Sequence, residues 1–187
     1  RLEEVRREQE AVKRDVEYSQ QRLRLRLLER QEQLMRLARD MADREMSTLQ
    51  FDFRAESLVS QYPELLALSW LDQDRQFRAS QASPSVSPVR EWVSEGKLKP
   101  GDAETGFGLA KDLRQPVYTQ PLATPGAEPE LYLHVPITPR GDFAGTLLAE
   151  YSVDGLLRYS VPAEVLAKYA VALLDAKGQL LAGQTIP

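Results

Sequence analysis

The sequence predicts an α+β protein in which a long N-terminal helix precedes an antiparallel five-stranded sheet. Residues 1–48 contain neither glycine nor proline and are dominated by strong helix formers. Short alternating segments follow as far as residue 152, and turn-forming residues separate them. A hairpin pattern at 171–182 resembles the pattern at 66–77, which suggests that a second copy of the module begins near Ala163.

The first helix carries a narrow seam of apolar residues with charged flanks. The seam recurs at spacings of three, four or seven residues: Val5, Val12, Val16, Leu23, Leu27, Leu34, Leu37 and Met41. Ser19 and Arg30 interrupt it. Such a seam is typical of a coiled coil and predicts a dimerising stalk over 1–48. The alternative is a helix packed along its own domain, and the richer apolar content after Leu34 predicts a globular body there.

The remaining elements follow from local patterns. Pro63 ends a second helix at Tyr62, because the residue before proline disfavours the helical region. The other predicted elements are strands at 65–71 and 75–80, a loop at 81–88, a short helix at 89–96, a loop at 97–108, strands at 116–122, 130–137 and 143–152, a helical connector at 153–169, and a final hairpin. We expect three units: stalk 1–48, ligand-binding module 49–160, and the start of a second module at 161–187. The final hairpin could instead extend the first sheet.

Composition excludes several classes of function. The net charge of −4 disfavours nucleic-acid binding. No cysteine is present, which excludes disulfides, thiolate metal sites and cysteine nucleophiles. His134 is the only histidine, so a site with several histidine ligands cannot form. We find no nucleophile motif or phosphate loop, and expect neither catalysis nor a cofactor.

Four segments between 87 and 153 carry a family resemblance. They contain Arg90-Glu-Trp92, Tyr118 within 115–122, Tyr132 and His134 within 131–137, and Glu150 within 145–153. Their order is similar to the tandem Cache (PAS-like) sensor domains of bacterial transmembrane sensor histidine kinases and chemoreceptors, dicarboxylate-sensor-like kinases above all.

The resemblance implies a ligand site in the membrane-distal module. It implies that Arg90 clamps a ligand carboxylate, and that Tyr118 matches a tyrosine of the next strand. Glu150 stands where the family has an aspartate that holds the other end of the ligand, often an amine. Val93 stands where the family has a second aromatic residue, so an organic acid is as good a ligand as an amino acid.

The chemistry of these residues supports a ligand site, although several of them could have a purely structural role instead. A guanidinium fits a carboxylate through paired donors, although Arg90 could pair with a nearby glutamate instead. Trp92 could line the ligand site or pack in the hydrophobic core. Alternation places Tyr132 and His134 on one face of their strand. His134 could equally be a satisfied sheet histidine, and Glu150 needs Arg90, Arg78 or a ligand amine. The candidate ligand-binding residues are Arg90, Trp92, Tyr118, Tyr132, His134 and Glu150.

We therefore expect the periplasmic sensor region of an inner-membrane receptor of the two-component sensor histidine kinase class. The expected partners are a small organic acid or amino acid, a second copy through the N-terminal helix, and the membrane through flanking segments. A chemoreceptor or diguanylate cyclase could carry the same input domain. A coiled-coil module that binds no ligand is the structural alternative, and an enzyme has the least support.

Overall fold

A helix of 42 residues opens the chain, and a five-stranded sheet packs along its second half. The structure is a computed structural model that describes residues 1–84, 96, 101–119, 126 and 128–186. Its elements are α1 (Leu2–Asp43), α2 (Thr48–Gln61), β1 (Leu65–Asp72), β2 (Phe77–Ala82), α3 (Asp102–Leu113), β3 (Val117–Tyr118), β4 (Glu130–Ile137), a 3-10 turn (Pro139–Gly141), β5 (Gly145–Ser152), α4 (Val153–Ser160), α5 (Ala163–Lys168), β6 (Ala172–Leu174) and β7 (Leu180–Gly183).

The sheet confirms the predicted fold class. Its strand order is β2-β1-β5-β4-β3, and each neighbouring pair is antiparallel. The buried apolar residues of β1, β4 and β5 pack with α1 and α2 in one large core. A smaller core joins α3 to the opposite face through Phe107, Leu71 and Leu148. Helices therefore cover both faces of the sheet.

The apolar seam of α1 faces the protein's own sheet. Leu34, Leu37 and Met41 are buried in the large core, and Leu23 and Leu27 pack against it. The second half of α1 therefore packs along its own domain, which was the alternative to a coiled coil. A homodimer through this helix stays a prediction, and from Leu23 onward it would need another face of the helix.

The loop predicted at 97–108 is partly wrong, because α3 begins at Asp102. Three glycines misled the prediction: Gly101 caps the helix at its start, while Gly106 and Gly108 lie within it. The short helix predicted at 89–96 lies outside the described residues except for Gly96. The carbonyl of Gly96 accepts a hydrogen bond of 2.8 Å from the Phe77 amide, which fixes that point of the chain beside β2.

The final hairpin forms a sheet of its own. In the described part of the chain, β6 pairs with β7 and not with the five-stranded sheet. Leu181 and Ala182 of β7 are buried in the large core that includes Leu157 of α4. The observed pairing disagrees with the alternative that the hairpin extends the first sheet. The boundary at 160/161 and the second module stay predictions.

Candidate functional site

The sheet face opposite α1 and α2 carries polar side chains on four strands. The polar face, as we call it, consists of Ser69, Ser80, Tyr132, His134, Thr146 and Glu150. Four of its members, Ser69, His134, Thr146 and Glu150, are at most 2% exposed. Burying polar groups costs free energy unless each finds a partner, so the groups of such a cluster need partners within the protein or from a ligand. We take the polar face as the candidate site.

His134 joins the sheet to α3. Its Nε2 donates to the Ala103 carbonyl at 2.6 Å, which leaves Nδ1 to accept from the Thr146 hydroxyl at 2.9 Å. The Phe107 ring meets the imidazole edge-on, with ring centroids 5.8 Å apart. Both ring nitrogens therefore have hydrogen-bond partners within the protein. This agrees with the alternative that His134 is a satisfied histidine of the sheet. The residue positions α3 over this end of the polar face.

Gly106 lets α3 approach the sheet closely. A Cβ at this position would lie 2.9 Å from His134 Cδ2 and 3.0 Å from Thr119 Cγ2. Real Cβ atoms do not come this close, so a side chain would push the helix away. A Cβ at Gly108, two residues further along, would have no other atom within 4 Å. The two glycines of one helix therefore have different reasons to be there.

We expect Gly106→Ala to destabilise the fold and Gly108→Ala to stabilise it. Overpacking against His134 costs about 1–3 kcal/mol, which exceeds the helix-propensity gain of about 1 kcal/mol from replacing glycine by alanine. At Gly108 there is no overpacking, so only the gain in helix propensity applies. Urea unfolding of the two variants checks this difference, and a Gly106→Ala protein as stable as Gly108→Ala would contradict the close packing of α3.

Burial lowers the pKa of His134 to about 4, although its bond to the Ala103 carbonyl acts in the opposite direction. The folded protein thus holds a neutral imidazole, whereas the unfolded chain protonates near pH 6.5. Because the unfolded state binds the extra proton, stability is fully present above about pH 6.5 and falls as the pH drops toward 4. We expect a loss of roughly 3 kcal/mol across this window. Unfolding of the wild type and His134→Asn as a function of pH measures it; an equal slope in both would contradict the assignment.

Glu150 is a carboxylate buried in the same cross-strand row as Tyr132. In the strand register Glu150 of β5 lies between Ala67 of β1 and Tyr132 of β4, and its side chain is 2% exposed. The Tyr132 hydroxyl donates to Glu130 Oε2 at 3.0 Å. A buried carboxylate is stabilised by cationic or donor groups, and a ligand ammonium is a group of that kind. The arrangement suits recognition of a small, positively charged group.

Tyr118 lies on the other side of the sheet. It pairs with Leu133, whose side chain belongs to the large core, and its hydroxyl donates to Gln31 Oε1 of α1 at 2.9 Å. Burial raises its pKa to about 12. The structure thus brings Tyr132, His134 and Glu150 together on one face and sets Tyr118 apart. Arg90 and Trp92 lie outside the described residues.

A buried ion cluster that the sequence analysis missed ties α1 to the start of the sheet. Glu64, fully buried, accepts from Arg26 through both oxygens at 2.7 and 2.9 Å and from Arg30 at 3.3 Å. Burial raises the pKa of Glu64, but the bonds from Arg26, a backbone hydrogen bond and the charges of Arg26 and Arg30 together outweigh this effect and hold the pKa below its ordinary value. The sequence does contain a signal for this cluster. Arg30 interrupts the apolar seam one helical turn after Arg26, and an arginine on a buried helix face needs an acidic partner.

A groove lies between the first half of α1 and the final hairpin. This groove of about 680 Å³ is lined mainly by apolar residues, among them Val12, Val16, Leu157, Val165 and Leu173. The first part of the α1 seam therefore faces the groove. It lacks the concentration of buried polar groups that distinguishes the polar face, and we do not assign it a ligand.

Two further findings concern metals and membranes. Within residues 1–84, 101–119 and 128–186, no group of three or more histidine, cysteine or acidic side chains could hold a metal ion. The helices of the described chain include none that combines the length and apolar character needed to cross a bilayer.

Comparison with known proteins gives fold relatives but no sequence family. No family model and no curated protein matches the sequence. The ligand-binding domain of the Pseudomonas aeruginosa PAO1 amino acid chemoreceptor PctB, in complex with L-Arg, matches with a TM-score of 0.61 and 16% identity. The match covers 92% of this chain and 64% of that domain, so the chain spans about two thirds of the length of this neighbour.

Two more solved structures have the same fold. The extracellular domain of the putative histidine kinase soHK1S-Z6 has a TM-score of 0.68 at 16% identity, covering 96% of this chain and 72% of that one. The ligand-binding domain of the Campylobacter jejuni chemoreceptor Tlp3, in complex with L-valine, has a TM-score of 0.59 at 14% identity and covers 94% and 71%. The fold of this chain is thus the Cache-like fold of extracellular sensor domains.

Proposed function

We propose that this chain is the extracytoplasmic sensor region of a transmembrane receptor, and that it binds a small amino acid or related organic acid on its polar face. The observation that carries the proposal is Glu150, a buried carboxylate in one row with Tyr132 on a sheet face rich in buried polar groups. Receptors with this fold include amino acid chemoreceptors, one of them in complex with L-Gln and another with GABA.

Glu150 favours an amino acid over a dicarboxylate as ligand. Two carboxylates at one buried position repel each other, whereas an ammonium and a carboxylate attract each other. The ligand carboxylate would then be held by Arg90, whose guanidinium offers paired donors, with Trp92 beside it. The roles of Arg90 and Trp92 rest on the sequence pattern alone.

Binding would be relayed by a shift between two packings of the domain. The ion cluster of Glu64 with Arg26 and Arg30 supports this step, because it fixes the beginning of β1 to the middle of α1. A ligand that moved the sheet relative to this point would act on α1 directly. The output domain, of the histidine-kinase or chemoreceptor kind, lies outside this chain. We favour a histidine kinase, and the extracellular domain of soHK1S-Z6 has this fold.

A thermal-shift screen tests the proposal against amino acids, C4-dicarboxylates and other short carboxylic acids. A ligand at about 100 times its dissociation constant adds roughly 2.7 kcal/mol, which raises the melting temperature by about 5–10 °C for a chain of this size. We expect the shift with an amino acid and its loss in Arg90→Ala. Arg36→Ala, which changes an exposed arginine of α1, is the matched control. No shift with any compound would contradict the receptor function, and a shift that survives Arg90→Ala would contradict the role of Arg90.

A further inference from the structure

The helix α4 begins at the end of the strand that carries Glu150. Ser152, the last residue of β5, is the N-cap of α4, and its hydroxyl accepts a hydrogen bond from the Gly155 amide at 2.9 Å. Ser152 lies two residues after Glu150 in extended backbone. Because an extended strand cannot lengthen, a shift of β5 at the polar face reaches the start of α4.

The start of α4 also packs against the residue that precedes β1. The Ser152 amide donates to the Glu64 carbonyl at 2.8 Å. A Cβ at Gly155 would lie 3.2 Å from Glu64 Cα and 3.2 Å from Ser152 Cβ, so glycine is what lets the helix come this close. The end of β5, the backbone of Glu64 and the first turn of α4 therefore move together.

Arg26 of α1 holds the other end of α4. Its Nε and one terminal nitrogen donate to the Glu64 carboxylate at 2.7 and 2.9 Å, and its second terminal nitrogen donates to the Tyr159 carbonyl at 3.3 Å. The last carbonyls of a helix have no partner within the helix, so Arg26 supplies one from outside. A guanidinium is planar and rigid, so the position of Glu64 sets where the end of α4 is held.

The final hairpin packs on the middle of α4. Leu157 of α4 shares the large core with Leu181 and Ala182 of β7. A Cβ at Gly183 would lie 2.9 Å from Leu157 Cδ2, and Gly183 has a φ of +87°, which favours glycine. A change in the position of α4 therefore acts on the hairpin.

We propose that α4 passes a ligand-dependent change at the polar face to the final hairpin, and that Arg26 is the positioning residue for this step. The route leaves the sheet at Ser152 and is separate from the action on α1. The inference rests on the proposed function, because it takes Glu150 as the ligand contact. Opening of α4 releases Ser152 and disturbs β5, so a ligand bound at Glu150 opposes that opening.

Hydrogen exchange with and without a mixture of L-arginine, L-glutamine, L-valine and GABA tests the route. In the wild type we expect the mixture to slow exchange in α4 and the hairpin about fivefold or more. Arg26→Lys keeps the charge beside Glu64 but lacks the planar fork, so it should lose this slowing and keep the slowing in β4 and β5. Arg24→Lys, which changes an exposed arginine of the same helix, is the control and should behave as the wild type. A hairpin that does not respond in the wild type, or that responds equally in Arg26→Lys, would overturn the proposal.

A comparison without ligand keeps part of the test independent of the receptor function. We expect Arg26→Lys to speed exchange in α4 and the hairpin about tenfold more than in β4 and β5, because one hydrogen bond to a charged group is lost there. No acceleration, or equal acceleration throughout the chain, would overturn the role of Arg26. If the mixture slows exchange nowhere, the receptor function fails, and the comparison without ligand alone decides whether Arg26 holds α4.

Discussion

Replacing Glu64 with glutamine is expected to lower the free energy of unfolding by about 3–5 kcal/mol. The carboxylate is fully buried and accepts from Arg26 and Arg30, whose side chains are only 23% and 12% exposed. Removing the charge leaves two arginines without their buried counter-ion. Chemical unfolding followed by circular dichroism measures the change.

The exposed pair of Asp40 and Arg54 is the matched control for Glu64. Its side chains are 45% and 42% exposed and lie 3.0 Å apart, so Arg54→Ala should cost at most about 1 kcal/mol. The pH dependence gives a second check. Since the folded pKa of Glu64 lies below 4.5, its contribution is present above pH 4.5 and is lost as the pH falls through the folded pKa. Equal costs in Glu64→Gln and Arg54→Ala would contradict the structural role of the ion cluster.

Replacing Glu150 with glutamine is expected to weaken amino acid binding by about 2–5 kcal/mol, or roughly 30-fold or more. Glutamine keeps the size of the side chain but removes the charge that, in the proposed function, holds the ligand ammonium. Isothermal titration calorimetry with the amino acid found in the screen measures the loss, and thermal unfolding confirms that the variant is folded.

Asp154→Asn is the control for net charge in this experiment. It removes one acid from an exposed pair with Arg158 on α4, away from the polar face, and should leave the affinity unchanged. If Glu150→Gln binds the amino acid as well as the wild type does, the ammonium assignment is wrong. If Glu150→Gln instead improves binding of a dicarboxylate, the ligand class is wrong.

The sequence predicted the order of helices and strands better than it predicted which elements pack against each other. The seam of α1 showed that one face is covered, but periodicity does not say by what. A sheet and a second helix both bury residues such as Leu34 and Leu37, so the coiled-coil interpretation and the packed-helix interpretation started from the same pattern.

The candidate site was predicted in part. Alternation placed Tyr132 and His134 on one face correctly, since β4 is regular through its pairing with β5. Tyr118 was different because β3 has only two residues, too few for alternation to indicate a face. The helix α3 was missed because Gly106 looks like a helix breaker in sequence, and the contact with His134 that explains it joins residues 28 positions apart.

Ligand-dependent hydrogen exchange tests the central claim most directly: that the polar face is where a small amino acid binds. The amides of the wild-type protein are compared with and without a mixture of L-arginine, L-glutamine, L-valine and GABA at saturating concentration. We predict slower exchange in β4, in β5 and in α3, the elements that form and cover the polar face. No change in exchange, or protection confined to the groove between the first half of α1 and the final hairpin, would contradict it.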